Sequence, residues 1–177
     1  MSCCIDNNNY PSRCTCNKNS AFCLVSSSLT QKQVAAWRQL LVCHSQIVRL
    51  IEREFESQGL VTFTFYDILF HLRHAPNREM RFRDINGEVV LSRSALSRCL
   101  DRMATDGLVA KLDCPEDPRG LVVKITSKGE AELKKAWPVY RNLIVDLFGR
   151  HFKESELDFL AQRFAQVTGE LDNPFIG

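Results

Sequence analysis

The stretch Leu91-Ser92-Arg93-Ser94-Ala95-Leu96-Ser97-Arg98-Cys99-Leu100-Asp101-Arg102-Met103-Ala104-Thr105-Asp106-Gly107 decides how the rest of the chain is read. Ser92 is a helix-capping residue, and Gly107 supplies the left-handed stop that commonly ends a helix. Between them Leu96, Cys99, Leu100 and Met103 recur at helical spacing and make one apolar face, while Arg93, Ser94, Ser97, Arg98 and Arg102 share the opposite face. Upstream, Leu91 reads as a turn and Met80 to Val90 as a short helix that buries Phe82, Ile85 and Val89. Gly87 weakens that helix by about 1 kcal/mol relative to alanine. Downstream, 108–112 (Leu-Val-Ala-Lys-Leu) and 121–125 (Leu-Val-Val-Lys-Ile) are strand-like runs. They flank Asp113-Cys114-Pro115-Glu116-Asp117-Pro118-Arg119-Gly120, which predicts a hairpin. Helix, turn, helix, hairpin is the order of a winged helix-turn-helix.

Further out, Phe65 to Arg73 reads as a helix stopped by Pro76, with Ile68, Leu69 and Leu72 inward. Thr30-Gln31-Lys32-Gln33 has the form of a capping box that starts a long helix with Val34, Trp37, Leu41, His44, Val48, Ile51 and Phe55 on one stripe. Ser127-Lys128-Gly129-Glu130 has the same form and opens a helix that Pro138 bends and that reaches about Phe152. A last helix from about Glu154 carries Leu157, Leu160, Phe164 and Val167. The first helix has more apolar surface than a small domain needs, and a monomer would expose it. The fold class expected is mainly α with a small β-hairpin wing, flanked by long N- and C-terminal helices.

Composition bounds the function. A chain of 177 residues, 45% hydrophobic, is long enough for one well-buried domain and too short for two large ones. Its 23 basic and 21 acidic side chains nearly cancel, so bulk charge announces no polyanion partner and the positions of the arginines must carry that argument. No apolar run is long enough to span a membrane and no signal peptide is recognisable, so a soluble, cytoplasmic protein is expected. Five of the eight cysteines fall in the first 23 residues, at Cys3, Cys4, Cys14, Cys16 and Cys23, among Asn, Ser, Thr and Pro with no hydrophobic period. Residues 1–28 therefore read as a disordered leader and 29–177 as one domain. Their thiols lack the paired Cys-x-x-Cys spacing of a zinc site, which leaves a passive tail, redox sensing or soft-metal binding by Cys14, Cys16 and Cys23.

The arginine-bearing helix has a chemistry of its own. The major groove of DNA admits an α-helix, where arginine donors reach guanine O6 and N7 and short hydroxyls reach base edges or phosphates. Arg93, Ser94, Ser97 and Arg98, near the helix N-terminus, are the expected base readers, and Arg102, a turn later, a phosphate contact. The competing reading is a solvated face in which the arginines pair with Asp101 and Asp106. Lys111 and Lys124 could add phosphate contacts. At the hairpin, Asp117 could orient Arg119 for the narrow minor groove, or the two could form only a salt-bridged turn.

The combination of Leu91-Ser92-Arg93-Ser94-Ala95-Leu96-Ser97-Arg98, Asp106-Gly107-Leu108-Val109, Asp117-Pro118-Arg119-Gly120 and Ile125-Thr126-Ser127-Lys128-Gly129 resembles the MarR family of transcription regulators from about Thr30 to Val167. The resemblance implies dimerisation helices at about 29–57 and 127–171 and a winged helix-turn-helix at about 62–126. It also implies a recognition helix at Ser92 to Thr105 and a wing whose Arg119 enters the minor groove. By the same resemblance the function is a repressor that binds a pseudo-palindromic operator in double-stranded DNA as a homodimer. A ligand cleft is implied for a small aromatic or phenolic effector, with Trp37, His44, Tyr66 and His71 as candidate lining residues. Each of those four is also explicable as a structural residue. Cys43 and Cys99 read as small hydrophobes, and Cys114 as a poor sensor among Asp113, Glu116 and Asp117. No cofactor is required by any motif. The rival classes are a winged-helix module that contacts only protein and an enzyme, for which no catalytic constellation has readable spacing.

Overall fold

The computed structural model describes residues 29–114 and 117–171, with the side chains of 114, 117–119, 170 and 171 left out; the cysteine-bearing leader lies outside the described residues. The described residues divide into two compact units, one within Leu41–His151 and one comprising the described parts of Met1–Leu40 and Phe152–Gly177.

α1 (Gln31–Ser57) starts as a reciprocal capping box: the Gln33 backbone N–H donates to Thr30 Oγ1 at 3.2 Å and the Thr30 N–H donates to Gln33 Oε1 at 2.8 Å. Only the C-terminal part of its stripe is buried, at Ile51 and Phe55; Trp37 is 60% exposed and Leu41 49%. In the smaller unit α6 (Glu154–Leu171) likewise leaves Phe159, Phe164 and Val167 in solvent.

The larger unit holds the core. α2 (Phe63–His74) is capped by Thr62, whose hydroxyl accepts from the Phe65 N–H at 3.3 Å, while Glu52 Oε2 accepts from the Phe63 N–H at 3.1 Å. Its Ile68, Leu69 and Leu72 are fully buried, as their spacing predicts. The predicted helix from Met80 to Val90 is shorter than expected. Glu79–Arg81 form strand β1 and the helix α3 is Phe82–Glu88, with Ile85 and Val89 buried and Phe82 half-buried. The chain reverses into β1 through Asn77 and Arg78, both at positive φ (54° and 59°). Met80 and Arg81 are drawn into extended structure by pairing with Val123 and Val122, partners more than 40 positions away that helical periodicity cannot report.

α4 (Arg93–Thr105) leads into β2 (Val109–Cys114) and β3 (Asp117–Ile125), and the sheet order is β1-β3-β2, all antiparallel. The wing strands run further into the connection than their apolar runs suggested, with an irregularity in the pairing between Asp113 and Cys114. α5 (Ser127–Leu147) is capped by Thr126, not by Ser127: Thr126 Oγ1 accepts from the Gly129 N–H at 3.1 Å. The residue three beyond that cap is Gly129, so the expected Ser127/Glu130 box does not form, and Glu130 is ion-paired with Arg78 instead. Pro138 lies inside α5, which ends at Leu147 before a short 3-10 turn at Gly149–His151, a little earlier than expected. Among the described residues no helix is long and apolar enough to cross a membrane.

Candidate nucleic-acid interface

α4 is fixed at both ends and along one face. At its start Ser92 Oγ accepts from the Ala95 N–H at 3.3 Å. At its end Gly107, at φ 71°, completes a Schellman motif: the Leu108 N–H donates to Met103 O at 2.8 Å and the Gly107 N–H to Ala104 O at 3.0 Å. Leu96, Leu100 and Met103 have no solvent exposure, so the helix cannot rotate about its axis without opening the core. Its outer face is thereby set, and Arg93, Ser94, Ser97, Arg98 and Arg102 are all exposed on it.

The charge pairing around this face argues against a self-neutralised surface. Asp101 is taken by Lys111 of β2, and Lys128 Nζ donates to the backbone carbonyl of Asp106 at 2.8 Å. Among the described residues neither carboxylate pairs with Arg93, Arg98 or Arg102. Lys124 pairs with Glu79 at 3.2 Å, so both strand lysines singled out as phosphate contacts are engaged by carboxylates. The guanidinium of Arg93 lies over the Phe82 ring, 5.7 Å from its centroid, and that of Arg102 over the Phe65 ring at 5.5 Å. The side chains of Asp117 and Arg119 lie outside the described residues, although their backbone belongs to β3.

Two of the four residues expected at an effector cleft, Tyr66 and His71, line different clefts. Trp37 and His44 are exposed on α1. Tyr66 is 2% exposed within a ring cluster of Phe55, Phe63 and Tyr140; its centroid is 4.9 Å from that of Tyr140. Burial, together with Tyr140 and Asp67, pushes the Tyr66 hydroxyl up to about 12. Tyr66 still reaches the wall of a cleft of about 360 Å³ between α2 and α5, shared with Phe70, Arg73, His74, Leu133, Lys134 and Trp137. His71 lines a different cleft, of about 650 Å³, with Glu79, Arg81, Asp84 and Glu88. Its ring stands between two carboxylates, Nε2 3.7 Å from Asp67 and Nδ1 3.7 Å from Glu88, and burial raises the Asp67 carboxyl above its usual range despite His71. Phe70, Arg73, Lys134 and Trp137 were not singled out from the sequence. Their only signal was that Lys134 and Trp137 flank the buried positions Leu133 and Ala136 of α5.

The thiols divide by depth. Cys99 is half-buried on α4, and burial raises its pKa against a lesser lowering by Arg102, so it is a poor nucleophile. Cys43 is exposed on α1. Cys14, Cys16 and Cys23 lie outside the described residues, and among the described residues no cluster of His, Cys, Asp and Glu could hold a metal.

This arrangement, a helix with a buried face, an exposed arginine and serine face, and an antiparallel wing beside it, is that of a winged helix-turn-helix. The model of the MarR family matches residues 61–121. Among solved structures, AbsC, a MarR family transcriptional regulator from Streptomyces coelicolor, matches with a TM-score of 0.73 at 25% identity, covering 82% of this chain and 98% of that one. Sco3205, a MarR family transcriptional regulator from the same organism in complex with DNA, matches with a TM-score of 0.76 at 21% identity over 84% and 92% of the two chains. A mutant MarR from E. coli complexed with operator DNA matches with a TM-score of 0.66 at 23% identity over 80% and 99%. No curated protein matches by sequence. The match to the MarR family model thus spans the winged helix-turn-helix, in a chain with the fold of MarR family transcriptional regulators.

Proposed function

We propose that the protein is a transcription regulator that represses by binding a pseudo-palindromic operator as a homodimer, with one α4 in the major groove of each half-site. The observation that carries this reading is the exposed face of Arg93, Ser94, Ser97, Arg98 and Arg102, whose arginines pair with no carboxylate among the described residues and which is set by a buried opposite face. Two of the similar structures were solved with DNA, which favours the same reading. A dimer is favoured by the apolar surface that α1 and α6 leave in solvent, at Trp37, Leu41, Phe159, Phe164 and Val167. Two-fold symmetry then sets the half-sites about 34–36 Å apart.

Two measurements test it. Binding to random duplex DNA at graded salt should weaken as salt rises, because phosphate contacts release counterions; salt-independent or absent binding would leave an adaptor or an enzyme. Sedimentation at micromolar concentration should give a dimer, and Trp37→Glu should shift it toward monomer by placing a charge on the apolar stripe. A stable monomer in the parent protein would overturn the dimer.

An effector reading is supported by the cleft between α2 and α5. Its walls are Tyr66, Phe70 and Trp137, and its cations are Arg73 and Lys134, a combination suited to a small aromatic or phenolic anion. A hydroxybenzoate should quench Trp137 fluorescence in a Trp37→Phe background and change operator affinity. Quenching that survives in Arg73→Ala with Lys134→Ala would place the anion elsewhere.

A further inference from the structure

The two arginines that begin and nearly end the exposed face of α4 share a feature that, among the described residues, Arg98 between them lacks. Arg93 lies over the ring of Phe82, the first residue of α3, and Arg102 over the ring of Phe65, in the first turn of α2. Two elements outside α4 thus each place one aromatic ring beneath one of its arginines. Phe65 is itself 7% exposed and Phe82 half-buried, so both rings are held by the core and are not free to follow the guanidinium.

A ring is a different kind of partner from a carboxylate. The quadrupole of its face attracts the cation, while the guanidinium N–H donors lie in the plane of the group and stay free for base edges or phosphates. A carboxylate would occupy two of those donors and offset the charge. An arginine so held also loses less side-chain freedom when a complex forms. We propose that Phe82 and Phe65 are positioning residues for DNA recognition, aromatic shelves that order Arg93 and Arg102 before the duplex arrives. The proposal rests on the DNA-binding reading of α4. It divides the two shelves by role: Phe82 acts through a base reader and supports discrimination between sequences, and Phe65 acts through a phosphate contact and supports affinity for any duplex.

The test is a pair of double-mutant cycles in the full chain, on an operator selected from a random duplex pool and on random duplex. Phe82→Leu keeps an apolar side chain and removes the ring. It should weaken operator binding about two- to ten-fold, change random-duplex binding less, and have no further effect once Arg93→Ala is present. Phe82→Tyr keeps the ring and should bind as the parent does. Phe65→Leu should weaken binding to both duplexes alike, and only while Arg102 is present. Because Phe65 belongs to the core, unfolding midpoints are measured for every variant and binding is compared well below the lowest of them.

The same loss from Phe82→Leu with and without Arg93 would mean that the ring acts through the fold, and no loss in the parent background would mean that the shelf has no role; either result overturns the proposal. The reading beneath it fails separately: a parent protein without salt-dependent duplex binding overturns DNA recognition itself. A parent that binds, loses affinity in Arg93→Ala and shows no coupling to Phe82 overturns only the shelf.

Discussion

Gly129→Ala is the substitution whose effect the structure specifies most closely. Gly129 lies in the first turn of α5, where alanine ordinarily stabilises a helix by about 1 kcal/mol over glycine. Here a Cβ would overlap Leu108 O and stand 2.9 Å from Ile125 Cγ1 and 3.0 Å from Leu69 Cδ2. The side-chain atoms could give way; the carbonyl cannot do so freely. Leu108 O accepts from the Thr126 N–H at 3.1 Å, and the Leu108 N–H closes the C-terminus of α4 on Met103 O at 2.8 Å. Moving it strains the cap of α5 and the stop of α4 together. Overpacking costs about 1–3 kcal/mol and a weakened hydrogen bond about 1, so after the propensity gain of about 1 the net loss should be about 1–3 kcal/mol. Urea unfolding should show a lower midpoint at unchanged slope. Gly87→Ala in α3 is the control: a Cβ there meets nothing within 4 Å, and the variant should gain up to about 1 kcal/mol. A Gly129→Ala protein as stable as the parent would refute the close packing of α5 on the end of α4.

Arg98→Ala should cost about 1–3 kcal/mol on the selected operator and relax sequence preference, whereas Arg119→Ala should weaken binding with little change in major-groove preference; competition with operator variants separates the two. Stability should fall as pH rises from about 10 through about 12. The Tyr66 phenol titrates at about 12 in the folded protein against 10.0 ordinarily, so ionisation favours the unfolded chain across that window, and Tyr66→Phe should flatten the loss seen in alkaline unfolding curves. Asp67 is raised as well, by burial first, so its contribution is fully present below the ordinary carboxylate pKa and is lost as pH rises through the folded value. Asp67→Asn should abolish that dependence in acid-to-neutral unfolding titrations. Oxidant or a thiophilic metal should change operator affinity through Cys14, Cys16 and Cys23 in the full chain and not in a variant that begins at Ser28; identical responses would make the leader a passive tail.

Where one face of an element meets the core, the sequence was readable, because burial imprints a period. Leu96, Leu100 and Met103 of α4 and Ile68, Leu69 and Leu72 of α2 fall where their spacing put them, and the caps at Thr30 and Ser92 form by local hydrogen bonds that depend on residues three apart. The failures share the opposite character. β1 exists only because Glu79, Met80 and Arg81 pair with Lys124, Val123 and Val122, and nothing local distinguishes them from the start of a helix. Thr126 displaced Ser127 as the cap of α5 because its hydroxyl, besides accepting from Gly129, donates to Gly107 O at 2.7 Å, a contact 19 positions distant.

The candidate interface obeys the same division. That Arg93, Ser94, Ser97, Arg98 and Arg102 would face away from the core followed from helical spacing alone, since the buried face fixes the other. What engages those arginines did not follow. Asp101 and Asp106, their neighbours in sequence, looked like the natural counter-charges, yet Asp101 pairs with Lys111 across the α4–β2 junction and the rings of Phe65 and Phe82 reach the arginines from α2 and α3. Proximity in the chain favours pairs three or four apart on one helix, worth a few tenths of a kcal/mol when exposed. Asp101 and Asp106 are separated from Arg98 by three and eight residues, and a carboxylate so weakly bound to its own helix is readily taken by a lysine that tertiary structure brings closer. A recognition surface must keep its donors available, and here the fold does so by giving the nearer carboxylate another cation and giving two of the arginines a partner that accepts no hydrogen bond in the guanidinium plane.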